Sequence, residues 1–172
     1  MALNELSEID ITSTGDDFYE AIEKCKANWA LMDASGPFSA TTTLTAAQVA
    51  ALETTPISLV AAPGSGLILE FISAIISFNY AANFTVTNAD NKFVIQYDAG
   101  VDVSESIDMN TFLEGSADAI RWVLPAATTD TNLLAHVNDK LEIFNEGTGD
   151  VTGGTASTVI VKVMYRVHAT GL

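Results

Sequence analysis

The sequence predicts a mainly β protein: an antiparallel β-sandwich of the jelly-roll kind, preceded by an N-terminal arm and one amphipathic helix. Three observations carry this expectation. After Pro37 the vocabulary turns to Thr, Val, Ile, Ala, Phe and Gly, residues that fit a pleated, half-buried surface. The apolar runs there have strand length and are separated by turn residues. At the C-terminal end Val159, Val161, Val163, Tyr165 and Val167 alternate with Lys162, Arg166 and His168, the period of two that places one strand face inward. Residues 1–37 are therefore assigned to the arm and helix and 38–172 to the β domain.

Residues 1–13 are polar and mixed and read as an arm. From Thr14 to about Ala34 the pattern becomes helical, with Thr14 or Asp16 as N-cap, acids Asp16, Asp17 and Glu20 in the first turn, and Gly36-Pro37 ending it. Phe18, Ile22, Cys25, Trp29 and Met32 recur at spacings of four, three, four and three, an apolar stripe at a/d spacing. The same stripe serves either a seam between subunits or a helix packed on its own domain. An isolated helix of roughly 20 residues is marginal in water, so it needs a partner surface in both cases.

Predicted strands follow at Ser39 to Leu44, Ile57 to Ala61, Leu67 to Tyr80, Asn83 to Thr87, Lys92 to Tyr97, Val101 to Ile107, Ala119 to Leu124, Lys140 to Asn145 and Thr155 to His168. Short helical or irregular pieces are expected at Thr45 to Glu53 and Asn110 to Gly115, and turns at Pro63 to Gly66, Asn88 to Asn91, Asp98 to Gly100 and Gly147 to Gly149. Leu67 to Tyr80 is apolar on both sides for much of its length, the pattern of a strand covered on both faces, either inside a sandwich or at a subunit contact. The glycine-rich stretch Gly147 to Gly154 reads as a flexible loop. No repeat of 20 to 50 residues is visible, which argues against a propeller or solenoid.

With 172 residues and 48% hydrophobic content the chain has the material for one sizeable core. Its 22 acids against 7 Lys and Arg give a formal net charge of −15, so nucleic acid and anionic membrane surfaces are not expected partners. The single cysteine, Cys25, excludes an internal disulfide framework. The start, Met1 to Glu5, carries neither the basic patch nor the apolar run of an export signal, and the longest apolar run, Leu67 to Ala82, is broken by Glu70, Ser73, Ser77 and Asn79. Cytoplasmic synthesis without a transmembrane segment is the expectation.

Chemistry-bearing motifs are sparse. His136 and His168 stand far apart and outside any metal-ligand spacing. Ser65 lies between glycines in a turn with no base supplied nearby. Asp98, Asp102, Glu105 and Asp108, with Asp90 after Asn88, offer oxygen ligands but match no calcium-loop spacing. No catalytic residue, cofactor or metal site is expected.

The helix, Gly15-Asp16-Asp17-Phe18-Tyr19-Glu20-Ala21-Ile22-Glu23-Lys24-Cys25-Lys26-Ala27-Asn28-Trp29, resembles a segment near the N-terminus of many tailed-bacteriophage virion proteins. Gly15, Asp16, Phe18, Ala21, Lys24, Asn28 and Trp29 match that pattern, while Cys25 and Lys26 depart from the Ile-Asn usual there. A second stretch, Leu44 to Gln48 and Thr55 to Gly66, is similar to the opening of a β module in phage structural proteins, where a long apolar strand follows the Pro-Gly turn. Together they cover about 60 residues. The resemblance implies a virion component that assembles onto a particle, often as a homotrimer. It would be a capsid decoration or cement protein whose partners are the major capsid protein or other virion proteins, with Phe18, Ile22, Cys25, Trp29 and Met32 at the helical contact. The alternative it leaves open is a tail-fibre or receptor-binding module that recognises a host surface glycan or protein.

Overall fold

The computed structural model describes residues 23, 36–98, 100–127 and 133–171. The chain divides between Gly36 and Pro37, and the architecture below belongs to the second unit. The arm and the stripe Phe18, Ile22, Cys25, Trp29 and Met32 lie outside the described residues. From the predicted helix Glu23 is described, helical and exposed.

The domain is mainly β and antiparallel. In chain order its elements are β1 (Phe38–Thr45), α1 (Ala46–Ala50), β2 (Ile57–Val60), β3 (Leu67–Asn79), β4 (Phe84–Val86), β5 (Lys92–Tyr97), β6 (Val101–Asp102), β7 (Ile107–Asp108), α2 (Met109–Leu113), β8 (Ala119–Val123), a 3-10 turn (Leu133–His136), β9 (Leu141–Asn145), β10 (Val151–Gly153) and β11 (Thr158–Ala169). One four-stranded sheet runs β1-β11-β3-β8, and a five-stranded sheet runs β2-β9-β5-β6 with β7 also on β5. A two-stranded ribbon joins β10 to β4. Both large sheets contribute to one continuous apolar core.

Aromatic side chains tie the two sheets together. Phe112 of α2 packs on Phe78 of β3 at 6.1 Å between ring centroids and on Phe93 of β5 at 6.2 Å, each such pair adding about 0.5–1.5 kcal/mol beyond the area buried. Tyr97, at the end of β5, is buried, and its hydroxyl donates to the Leu69 carbonyl of β3. Burial pushes the Tyr97 phenol up, with Asp139 and Glu70 adding to the effect. At the end of β1, Thr45 caps α1: its hydroxyl accepts from the Gln48 amide at 3.3 Å while the Gln48 side chain accepts from the Thr45 amide at 2.9 Å.

The alternation predicted for β11 holds: Val159, Val161 and Val163 are fully buried, while Lys162 and Arg166 are exposed. Within the single chain, β3 is covered on one face along its second half, and a shift of phase accounts for its two-sided apolar pattern. Opposite β11, Met164 pairs with Ser73 and Tyr165 with Phe71, which leaves Ile72 unpaired in a β-bulge. The extra residue switches phase, so Leu69 and Phe71 reach the core before it, and Ala74, Ile76 and Phe78 after it. The other face is open at Ile75.

Two further expectations are corrected. Val101 to Ile107 is two short strands, because the Ser104 hydroxyl takes the Ile95 amide at 2.9 Å and donates to the Glu105 carbonyl, diverting the chain from the ladder. Gly147 to Gly154 is no loose loop: it contains β10, and it lies against other backbone. A Cβ on Gly147 would come within 2.5 Å of the Asn91 Cα and 2.6 Å of its nitrogen. One on Gly154, where φ is +65°, would strike the Phe84 ring at 2.3 Å. Buried Asn91 and Asn145 hold this approach, the Asn145 amide donating to Asn91 Oδ1 at 3.1 Å and the Asn91 amide to the Gly149 carbonyl at 2.9 Å.

Two pairs of substitutions test this account. Val163→Asp buries a charge without a partner and is expected to cost on the order of several kcal/mol, abolishing cooperative thermal unfolding, whereas Lys162→Asp costs about 0.5 kcal/mol or less. Gly147→Ala is expected to lower the melting temperature sharply, while Gly115→Ala, with nothing within 4 Å of the added carbon, leaves it nearly unchanged. Melting curves followed by circular dichroism check both contrasts.

Candidate interaction surface

The largest departure from ordinary surface chemistry lies on β8, an edge strand of the four-stranded sheet. Its register on β3 pairs Ala74 with Val123, Ile75 with Trp122, Ile76 with Arg121, Ser77 with Ile120 and Phe78 with Ala119. Because Ala74, Ile76 and Phe78 face the core, Ala119, Arg121 and Val123 share the inward phase, and Ile120 and Trp122 point outward. Trp122 is 69% exposed and Ile120 66%, and Leu124, just past the strand, is 49% exposed. Ile75 at 40% and Met164 at 39% continue the patch across β3 and β11.

Arg121 fixes this inversion. It is the one charged residue of the strand, yet it takes the inward phase at the sheet margin, its guanidinium 5.6 Å from the centre of the Phe112 ring. Its Nη1 also donates to the Ile120 carbonyl at 3.1 Å. At the start of β8, Asp118 accepts from the Tyr80 amide at 2.8 Å. Past its end, the Glu105 amide donates to the Leu124 carbonyl at 2.9 Å. The strand is anchored at both ends, so the exposed indole stands on rigid backbone.

The patch is large enough to matter. Aromatic side chains bury roughly 150–250 Å², so Trp122 leaves on the order of 150 Å² in water, worth about 4 kcal/mol at ~25 cal/mol per Å² if covered. Outward positions aligned with it, namely Lys162 and Thr41 in its own row and Ser77, Ile160 and Thr43 in the next, include no acid, although the chain carries 22.

The residues singled out for chemistry are distributed to other tasks. Asp98 pairs with Lys140 at 3.0 Å, Asp102 lies opposite Gln96 on β6, and Asp108 caps α2 by accepting from the Thr111 amide at 3.1 Å. Burial, with Glu146 second, pushes the Asp102 carboxyl up. Among the described residues no group of three His, Cys, Asp or Glu is placed to hold a metal ion. His136 is buried, stacked on Tyr97 at 4.6 Å, and within 2.9 Å of Asp139. His168 is exposed beside Glu70 at 2.8 Å. No described helix is long and apolar enough to cross a membrane.

Geometry and chemistry together define a β-sheet protein whose outer face carries a rigid apolar patch around Trp122. No protein-family model matches the sequence, and no curated protein matches it.

The patch was not singled out in the sequence because Ala119 to Leu124 is apolar in both phases apart from Arg121. A charge in such a strand is ordinarily assigned outward, which would have turned Trp122 inward. The signal that reverses the assignment is Phe112, which lies nearby only in the fold.

Electrostatics on the five-stranded sheet supply a pH test. Lys140, one-third exposed, bridges Asp98 and buried Glu142 at 3.0 Å each, and Gln96 donates to the second Glu142 oxygen at 2.9 Å. The bond to Asp98, then that to Glu142, holds the Lys140 ammonium above its ordinary value of 10.5. A raised folded-state value means that the stabilisation is complete below 10.5 and fades as pH climbs through the folded value. Wild type is expected to exceed Lys140→Met by about 1–2 kcal/mol at neutral pH, and urea melts at rising alkaline pH should show the gap closing.

Proposed function

We propose that the protein is a virion structural protein of tailed-phage type, a capsid decoration protein that stabilises the head exterior through protein–protein contacts. We further propose that its domain is a jelly roll. The strand orders β1-β11-β3-β8 and β2-β9-β5-β6 support the second point: they are the arrangement obtained when a long hairpin of eight main strands coils into two sheets, with the β4–β10 ribbon as an addition.

The observation that carries the functional reading is the rigid apolar face around Trp122. A contiguous patch of this kind on a sheet marks a contact surface, and it agrees with the assembly role implied by the resemblance of Gly15 to Trp29 and Leu44 to Gly66. Many identical weak contacts across a shell add up to strong retention, so modest affinity at each site is enough. In this reading the subunit is a homotrimer, its partners are the major capsid protein or other virion proteins, and Phe18, Ile22, Cys25, Trp29 and Met32 form the attachment contact. The acidic charge disfavours nucleic acid as a partner.

Imaging of particles with a specific antibody tests the assignment. Label over the head is the expected result; label at the tail favours a receptor-binding module, and absence from particles overturns both. For the attachment contact, the double variant Phe18→Asp, Trp29→Asp is expected to lose at least tenfold in particle binding, since two buried apolar anchors each contribute about 1–2 kcal/mol or more. Unchanged binding would mean that the stripe packs within its own chain.

A further inference from the structure

We propose that the outer face of the β8-β3-β11 sheet, centred on Trp122, is the contact through which copies of this chain join one another. The inference deepens the protein-contact reading given above by naming the occupant of the face: a second copy.

Area is the first argument. Stable interfaces bury about 800 Å² per partner, somewhat more than half of it apolar. Trp122, Ile120, Leu124, Ile75 and Met164, at exposures of 39–69%, together present on the order of 400–500 Å² of apolar surface, which is the apolar share of one such interface. A single loop or peptide would leave much of this face uncovered.

Charge is the second argument, and it selects a copy of the chain. Two molecules each bearing −15 repel in most orientations. The rows through Trp122 and Ile120 hold no outward Asp or Glu, and Glu70, farther along the same face, is paired with Arg166 and His168, so a copy can approach there with little acid set against acid. Lys162, directly across from Ile75, lies within it and has no ion pair among the described residues. Where two such faces meet, this unpaired cation can reach the margin of the facing copy, where Glu70 and Glu105 are exposed.

The edge of β8 gives the third argument. Arg121 occupies the Ile120 carbonyl, and Glu105 the Leu124 carbonyl, so the outer edge of the strand is partly closed to strand addition. The contact is therefore made by side chains on the face.

Sedimentation of the full-length chain tests the proposal. Wild type is expected at a multiple of 18.2 kDa, and Trp122→Glu at the single-chain mass with cooperative melting retained, since the side chain is 69% exposed. Lys162→Glu is expected to raise the dissociation constant about five- to tenfold. In a Trp29→Phe background, which leaves Trp122 as the sole indole, emission should shift to the blue as concentration rises through assembly. A wild type that stays at single-chain mass at tens of micromolar, a Trp122→Glu variant that keeps the oligomer, or an indole that stays water-exposed in the oligomer would each overturn the proposal. Loading onto isolated heads separates the two readings: a wild-type oligomer that fails to load removes the decoration role and leaves the copy contact standing. A Trp122→Glu monomer that still loads supports both.

Discussion

One unpaired residue in the longest strand decides what this domain buries and what it shows. Ile72 has no partner on β11, and the phase of β3 switches there. Without the switch, Ala74, Ile76 and Phe78 would turn outward and Ser73, Ile75 and Ser77 inward. Phe78 would then leave its contacts with Phe84 and Phe112, at 5.9 and 6.1 Å, and the bridge from the four-stranded sheet to Phe93 would be cut. Since β8 takes its register from this half of β3, the position of Trp122 follows from the same residue.

Legibility in the sequence tracks how local the deciding interaction is. Val159 to Val163 could be read correctly because alternation is a property of adjacent residues and their burial agrees with it. The mainly β antiparallel class was legible for the same reason, repeated over many runs. The bulge was not legible: both phases of Leu67 to Phe78 are apolar, so neither is marked as inner. Gly147 to Gly154 looked like slack chain because its constraint comes from Asn91 and Phe84, more than 50 residues earlier. β10 was missed because its partner β4 lies far off in the chain, and the division of Val101 to Ile107 because the hydrogen bonds of one serine, not composition, determine it. The Trp122 face was hidden by Arg121, whose inward phase depends on Phe112.

In the proposed assembly, acidity and contact are linked. A net charge of −15 keeps copies apart in nearly every mutual orientation, and a patch without acids turns that repulsion into a filter on geometry. The apolar area supplies attraction and the surrounding charge supplies direction. An exposed tryptophan on a neutral protein would invite promiscuous contact; here the acidic surroundings restrict what can reach it.

The Tyr97 ring stacks on His136 and its hydroxyl donates to the Leu69 carbonyl, in a site where burial pushes the phenol up. A phenol bonded from one sheet to the other is thus a polar rivet in an apolar core: parting β5 from β3 strips the Leu69 carbonyl of its donor before water can replace it.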